Sequence, residues 1–426
     1  MIDGVAQPVS QSTGVSQAAR QVIALTIAVI VAVVIRALLL PGAGLPGDLD
    51  AFTQWVGHIA SNGLPNAYDE ELTFGPVMTY IWWVLGLVEP GFRTAADSTD
   101  PDLRVLLKLP AVLADFGLAA CVYWILRATP VWAVVGAVVV LLHPATWYVS
   151  AWWGQYESIY VLMALLAVLF AIAGRDGLAA AALALAVLTK PQAVPFLIPF
   201  AAWFLARGGL AGLIRAAAIG AGVAFVLWLP FLASGGLAHY LGNLGEYQDD
   251  VYSILSLRAW NFWWIVQDLA PVDEFVSDRV PIVGPVTFRL LAFAVTGLLA
   301  LYVAVRVWRA PEPRTLVLGV ATISLVAFTF LTTMHERYAF GALLFLMLLI
   351  PEARMRWLGA VLGVVFTLNL IAAAPATSEL GRLLPIWGPL GLVGSVVMVA
   401  LTVILLLELR REPDPGAEPQ TGPSAP

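Results

Sequence analysis

Residues 21–40 read QVIALTIAVIVAVVIRALLL, and this run decides the fold class. At a helical rise of about 1.5 Å per residue it is about 30 Å long, the thickness of a bilayer's hydrocarbon core. Lipid offers the backbone no hydrogen-bond partner, so such a run must satisfy itself as a helix. It is not alone: Ile159–Ala173, Leu291–Val305 and Leu392–Leu407 are equally apolar. Of 426 residues, 60% are hydrophobic and 12% charged, about half the charged share of a soluble domain. A large soluble helical core is excluded because no polar helix faces exist to cover it. The alternating ten-residue segments of an outer-membrane barrel are missing too. The expectation is an all-α polytopic membrane protein.

Arginine sets the sidedness. Among 22 basic residues, those in short polar breaks include Arg20, Arg127, Arg175, Arg207 with Arg215, Arg306 with Arg309 and Arg314, Arg354 with Arg356, and Arg410 with Arg411. The positive-inside tendency places these breaks in the cytoplasm. They alternate with acidic or aromatic breaks. Keeping the alternation gives about twelve spans with both termini inside. The expected spans are 20–41, 104–127, 131–149, 157–174, 178–190, 192–207, 211–233, 286–308, 315–332, 338–351, 355–375 and 385–408. The pairs meeting near Lys190 and His335 are short enough to be broken or re-entrant helices instead.

One transmembrane domain, 19–409, is thus expected between polar cytoplasmic tails, 1–18 and 410–426, whose composition predicts disorder. Met1–Ala19 is polar and the first apolar block is long enough to span, so no cleavable signal peptide is expected. Two long loops, about 41–103 and 233–285, lie outside. That side is net acidic, which argues against nucleic acid or an anionic lipid surface as its partner. Phe74–Val88, with Trp82 and Trp83, is read as a helix at the interface with its tryptophans at headgroup depth. As a span it would invert every later arginine loop. Cys121, the single cysteine, lies in an apolar block and reads as packing.

Five polar stretches fall on the external side. Gly47–Trp55 carries Asp48 and Asp50, two carboxylates that could accept a proton from an attacking hydroxyl, hold a divalent cation, or cap a helix. Trp152–Ser158 reads WWGQYES. An aromatic belt explains its tryptophans but not Gln155 or Glu157. Thr189–Gln192 places Lys190 in an apolar stretch before a helix-breaking proline, either as a functional cation or as a lysine snorkelling from a helix end. Met334–Tyr338 packs His335, Glu336 and Arg337 between two apolar blocks, where histidine and arginine together can clamp a phosphate. Ser256–Trp264 sets Arg258 and Asn261 among tryptophans, which suits a sugar or phosphate site and equally an interfacial helix. A sixth candidate, Asp115, lies mid-span seven residues after Lys108 and reads as functional or as half of an internal Asp–Lys or Asp–Arg pair. The external set offers cations (Lys190, Arg258, His335, Arg337), carboxylates (Asp48, Asp50, Glu157, Glu336) and aromatics. A phosphate-bearing lipid with a sugar head matches it.

In order along Leu38–Ile350, these stretches resemble the motifs of GT-C glycosyltransferases, polytopic enzymes that use polyprenyl- or dolichyl-phosphate sugars. Gly47–Trp55 and Tyr68 with Phe74–Tyr80 resemble the first-loop motifs. Trp152–Ser158, Leu188–Gln192, Ser256–Trp263 and Met334–Tyr338 resemble later blocks. Gly75 stands where relatives often have proline, which is expected to loosen that turn, and Glu157 stands where aspartate is usual. The resemblance is to polyprenyl-phosphate-mannose-dependent mannosyltransferases and to the glucosyltransferases that extend dolichol-linked oligosaccharide. It implies an inverting hexosyltransferase, mannose favoured, in the cell membrane with its site on the extracytoplasmic face. Asp48 would be the general base, with Asp50 beside it in the catalytic set. Lys190, Arg258, His335 and Arg337 would hold the donor phosphate. Trp153, Gln155, Glu157, Asn261 and Glu336 would hold sugar or acceptor. The acceptor would be a glycan, glycolipid or protein. No cofactor is required, and Mg²⁺ at Asp48 and Asp50 is the open option. The rival is a multispan transporter or flippase for a lipid-linked or anionic substrate. It would carry polar residues through to the cytoplasmic half, which here is apolar, and no internal repeat is evident.

Overall fold

The computed structural model describes residues 16–247, 253–270 and 275–411. The expected tails therefore lie almost wholly outside the described residues. At their inner edges, Ser16 accepts from the Ala19 amide and caps the first helix.

That helix, α1 (Gln17–Leu39), leads into the first loop, which folds as α2 (Pro46–Asn62), a 3-10 turn at Leu64–Asp69 and α3 (Pro76–Val88). The bundle continues with α4 (Pro101–Ile125), α5 (Pro130–Leu142), the single turn α6 (Pro144–Trp147), α7 (Glu157–Ile172), α8 (Asp176–Thr189) and α9 (Leu197–Leu232). The second loop holds α10 (Gly236–Glu246), β1 (Ser256–Leu257), α11 (Phe262–Leu269) and a small hairpin, β2 (Pro281–Val283) with β3 (Val286–Thr287). The last elements are α12 (Phe288–Arg309), α13 (Pro313–Phe330), β4 (Met334–His335), α14 (Phe340–Leu346), α15 (Ala353–Ala373), α16 (Ser378–Leu383) and α17 (Pro389–Glu408).

The chain is a polytopic helical membrane protein. Among the described residues seven helices are long and apolar enough to cross a membrane, or up to eight if Pro130–Leu142 and Pro144–Trp153, bent by 43°, form one span. Large aliphatic side chains on α1 and α12, such as Val22, Ile30, Leu298 and Leu301, are more than half exposed. Such a face suits lipid and not water.

Each remaining expected span also falls on helix. Within α9, Gly209 is non-helical at φ 60°, ψ −162°. A straight helix of its length would reach about 54 Å, yet both of its ends pack on the first loop. Lys190, just before it, lies 5.2 Å from the Phe74 ring, while Trp228 and Phe231 pack on Tyr68. The segment doubles back at Gly209, where 192–207 and 211–233 were expected to meet. The expected span 338–351 falls on α14 with 3-10 turns before it, Glu336–Ala339, and after it, Met347–Leu349, about 25 Å in all. It is screened from lipid, every residue from Ala339 to Ile350 being buried.

The arginine-bearing turns gather at one end of the bundle. Arg314 pairs with Glu352 at 2.8 Å, Arg354 with Glu408 at 2.7 Å, and Arg306 donates to Leu409 O at 2.9 Å. Arg356 covers the Trp132 ring at 4.4 Å. Helices α8 and α13 start at this end, and the breaks after their other ends carry Lys190 and Met334–Tyr338; α15 also starts here and ends at Ala373, whose carbonyl accepts from Arg258.

In the first loop, α3 is thirteen residues long, about 20 Å and too short to cross. One expectation for it needs correcting. Trp82 does not face lipid headgroups but is fully buried, packed among Phe52, Trp55, Phe74 and Tyr156.

Candidate active site

Four segments converge opposite the arginine end: the first turn of α2, the loop before α7, the break after α8, and Met334–Tyr338. The loop before α7 is a π-helical turn, Tyr148–Trp153, closed by Gly154 at φ +91°. Single π turns recur at functional sites. Glycine is required here twice over. The backbone is left-handed, and a Cβ would lie 2.6 Å from Leu49 Cδ2 and 3.1 Å from Lys108 Cγ. This close approach sets α2 on the loop, where Asp48 Oδ2 accepts from Trp153 Nε1 and Gln155 Nε2, each at 2.7 Å.

Pro191 stops α8 and holds Lys190 extended, at φ −152°, ψ 135°. The Lys190 ammonium lies 2.5 Å from Glu157 Oε1 and 3.5 Å from Gln155 Oε1. Glu157 Oε1 also faces Arg337 Nε at 3.4 Å. Arg337 Nη1 donates to Glu336 Oε1 at 3.0 Å and to His335 Nδ1 at 3.1 Å. Aromatic rings wall the cations: Lys190 is 5.2 Å from Phe74 and 5.7 Å from Tyr338, and Arg337 is 5.3 Å from Trp153 and 5.5 Å from Tyr338. One polar network thus links Asp48, Trp153, Gln155, Glu157, Lys190, His335, Glu336 and Arg337. Most of it is buried, and Asp48 is only half-buried. Asp48 Oδ1 carries no hydrogen bond among the described residues.

Arginine donates and never accepts, so His335 Nδ1 is the acceptor and the ring's proton sits on Nε2. Burial, with the charges of Arg337, Lys190 and Arg258, drives the His335 pKa well below its ordinary range. It is therefore a neutral donor at Nε2 and not the cation expected from sequence. Burial also raises the Glu336 pKa against the pull of Arg337.

Arg258 reaches this region through the backbone. Strand β1 pairs in parallel with β4, Ser256 facing Met334 and Leu257 facing His335, and Arg258 bridges to His335. Arg258 (φ +64°) and Thr333 (φ +61°) are the positive-φ non-glycine residues among the described residues. Both flank this pairing. Such backbone costs about 1–3 kcal/mol per residue. The Arg258 guanidinium is exposed and donates to Ala373 O at 3.1 Å.

Three expectations change. Asp50 does not pair with Asp48, because residues two apart on a helix point about 200° apart. Its Oδ1 accepts from the Ser98 amide at 2.8 Å and hydroxyl at 2.7 Å. The pair therefore cannot share a cation, and neither caps α2, whose N-cap is Leu45. Among the described residues no group of three or more His, Cys, Asp or Glu is placed to hold a metal ion. Asn261 is fully buried away from the network. Its Oδ1 caps α11 at the Trp264 amide, 2.9 Å, and its Nδ2 donates to Phe328 O at 3.0 Å. Of the two pairings expected for Asp115, the Asp–Arg one forms, with Arg36 at 2.8 Å; Lys108 instead donates to Gly42 O at 2.7 Å and Trp152 O at 3.0 Å.

Gly75 tightens its turn instead of loosening it. A Cβ there would lie 2.1 Å from Leu188 O, and its amide donates to Thr189 O at 3.2 Å. Proline would supply the clash and lose the bond, so glycine is what fixes the first loop beside Lys190. Sequence reading also missed Tyr338 and Phe74 as walls, although both lie within or beside quoted motifs. A cavity of ≈ 360 Å³ opens between α8 and both arms of α9, lined by Leu183, Leu188, Leu197, Phe204, Leu213 and Ala217 among other apolar residues, and it does not include Lys190.

The fold and site define a polytopic helical membrane protein with a polar, aromatic-walled centre at one end of its bundle. Among solved structures it is similar to the crystal structure of ArnT from Cupriavidus metallidurans bound to undecaprenyl phosphate. The identity is 16% and the TM-score 0.47, over 90% of this chain and 77% of that one. No protein-family model matches, and no curated protein matches.

Proposed function

We propose that the chain is a GT-C-type inverting glycosyltransferase that moves a hexose from a polyprenyl-phosphate donor to an acceptor hydroxyl. One observation carries this reading. A half-buried carboxylate, Asp48, is fixed by Trp153 and Gln155, and Gln155 in turn meets Lys190 in the same network that holds Arg337.

In this mechanism Asp48 takes the proton of the acceptor hydroxyl as its oxygen attacks the anomeric carbon. The bond from that carbon to the phosphate oxygen breaks with inversion through an oxocarbenium-like state. The electron pair leaves on the lipid phosphate, which needs no proton. Lys190, Arg337 and the neutral His335 supply charge and hydrogen bonds to it. Glu157 and Glu336 keep the two cations aligned and offer acceptors to sugar hydroxyls, beside Trp153 and Gln155. Arg258 stands at the rim. The apolar cavity between α8 and α9, which reaches Leu188 at its nearer end, suits part of an isoprenoid chain. Mannose as the sugar follows from the sequence resemblance, as does a glycan, glycolipid or protein as acceptor. The extracytoplasmic face and about twelve spans follow from the arginine turns.

The test is a panel of polyprenyl-phosphate sugars offered to the purified protein, read as protection from thermal unfolding. One sugar head, mannose first, is expected to protect. No protection by any member would overturn the reading in favour of a transporter.

A further inference from the structure

The loop that presents Trp153, Gln155 and Glu157 is held at both ends by one buried group that takes no part in the proposed chemistry. Asp115, on α4, is fully buried. Its Oδ2 accepts from Ser150 Oγ at 2.6 Å and its Oδ1 from Ser158 Oγ at 2.6 Å. Ser150 lies in the π turn and Ser158 in the first turn of α7, so the two bonds bracket the segment 151–157. Arg36 of α1 completes the carboxylate's shell through Nε at 2.9 Å and Nη2 at 2.8 Å. Its Nη1 donates to Leu141 O at 2.9 Å, one of the carbonyls left open at the end of α5.

A buried ion pair is a poor way to gain stability, because well-packed apolar residues do as well without the desolvation cost. What this pair supplies is direction. Both guanidinium donors converge on Oδ2, and charge-assisted bonds of this kind hold the carboxylate in one orientation. Its Oδ2 then faces Ser150 inside the π turn and its Oδ1 faces Ser158 in the first turn of α7. We infer that Asp115, oriented by Arg36, is a positioning residue for transfer. It acts through Ser150 and Ser158 on where Trp153 and Gln155 hold Asp48 and where Glu157 holds Lys190. The inference rests on the function proposed above for its kinetic consequence, but not for its structural one.

The test uses the full chain in lipid nanodiscs and the double variant Ser150→Ala/Ser158→Ala, which leaves the Arg36–Asp115 pair in place. Hydrogen exchange needs no substrate. Amides of 151–157 are expected to exchange about tenfold faster, with the rest of α4 and α7 unchanged. Unchanged exchange in 151–157 overturns the inference whatever the reaction is. In transfer assays corrected for folded protein, kcat is expected to fall about 10- to 100-fold with donor KM moved less than about threefold. Ser158→Thr, which keeps the hydroxyl, is expected to restore most of kcat to the Ser158→Ala background. A kcat per folded molecule within twofold of the parent would assign the network to stability alone. If the parent chain transfers no sugar, the proposed function fails, and the exchange result still decides the positioning claim.

Discussion

Replacing Glu157 by methionine removes the centre of the charge network, and the geometry gives the size of the effect. Glu157 is fully buried and Lys190 is 4% exposed. Without Glu157, Arg337 keeps Glu336 at 3.0 Å, but Lys190 keeps no carboxylate, only the Gln155 amide oxygen at 3.5 Å and the Phe74 and Tyr338 rings. Breaking a buried pair from one side costs about 3–5 kcal/mol, because the remaining charge is left uncompensated. Lys190→Met should cost less, since Glu157 retains Arg337 at 3.4 Å. The double variant E157M/K190M leaves no orphaned charge and should recover about 2–3 kcal/mol of the sum of the singles. Thermal unfolding in one detergent gives the order: parent, then the double variant and K190M, with E157M lowest. Donor protection should be lost in both variants that lack Lys190. A double variant no more stable than E157M would refute the reasoning, because Lys190 would then not be the charge that Glu157 serves.

Other substitutions separate geometry from chemistry. Gly154→Ala forces a side chain into a φ of +91° and against Leu49. It should cost about 1–3 kcal/mol and lower transfer with it, as thermal melts and a transfer assay would show. Asn261→Ala loses a cap and a tether. It should destabilise by about 1–2 kcal/mol and leave donor protection intact, the reverse of the outcome for a sugar ligand. His335 has a lowered folded pKa, so its neutral form contributes stability that is present above the ordinary value near 6.5 and lost as pH falls towards the folded value. Melting temperature should therefore drop on acidification below about pH 6.5, and His335→Gln should flatten that slope.

Residue type and order revealed the class of fold and the members of the site, but not how the members are joined. Apolar blocks near twenty residues can only be helices in lipid, so α1, α4, α12, α13, α15 and α17 were legible. The alternation of arginine turns located the ends that gather around Arg314, Glu352 and Glu408. The hairpin within α9 was legible because Arg207 and Arg215 sit beside Gly208-Gly209. Trp82 was misplaced because a tryptophan pair on an apolar helix reads the same whether it faces headgroups or a protein core. Asp50 was grouped with Asp48 because closeness in sequence is not closeness in space on a helix. Arg36 escaped notice inside the very block that decides the fold. Only the distant Asp115 explains it, and a contact across 79 positions leaves no local signal. Gly75 shows the same limit, since its reason is the backbone of Leu188 rather than its own turn.

The central claim is that Asp48 is the base, and Asp48→Asn tests it most directly beside Asp50→Asn. Asparagine keeps an oxygen for Trp153 and Gln155, so the site's shape and donor protection should be preserved. Transfer from the protecting polyprenyl-phosphate sugar should then fall by about 10²–10⁴-fold in Asp48→Asn, while Asp50→Asn, which changes only the two bonds from Ser98, stays near the parent. An Asp48→Asn protein that transfers sugar at the parent's rate would contradict the account.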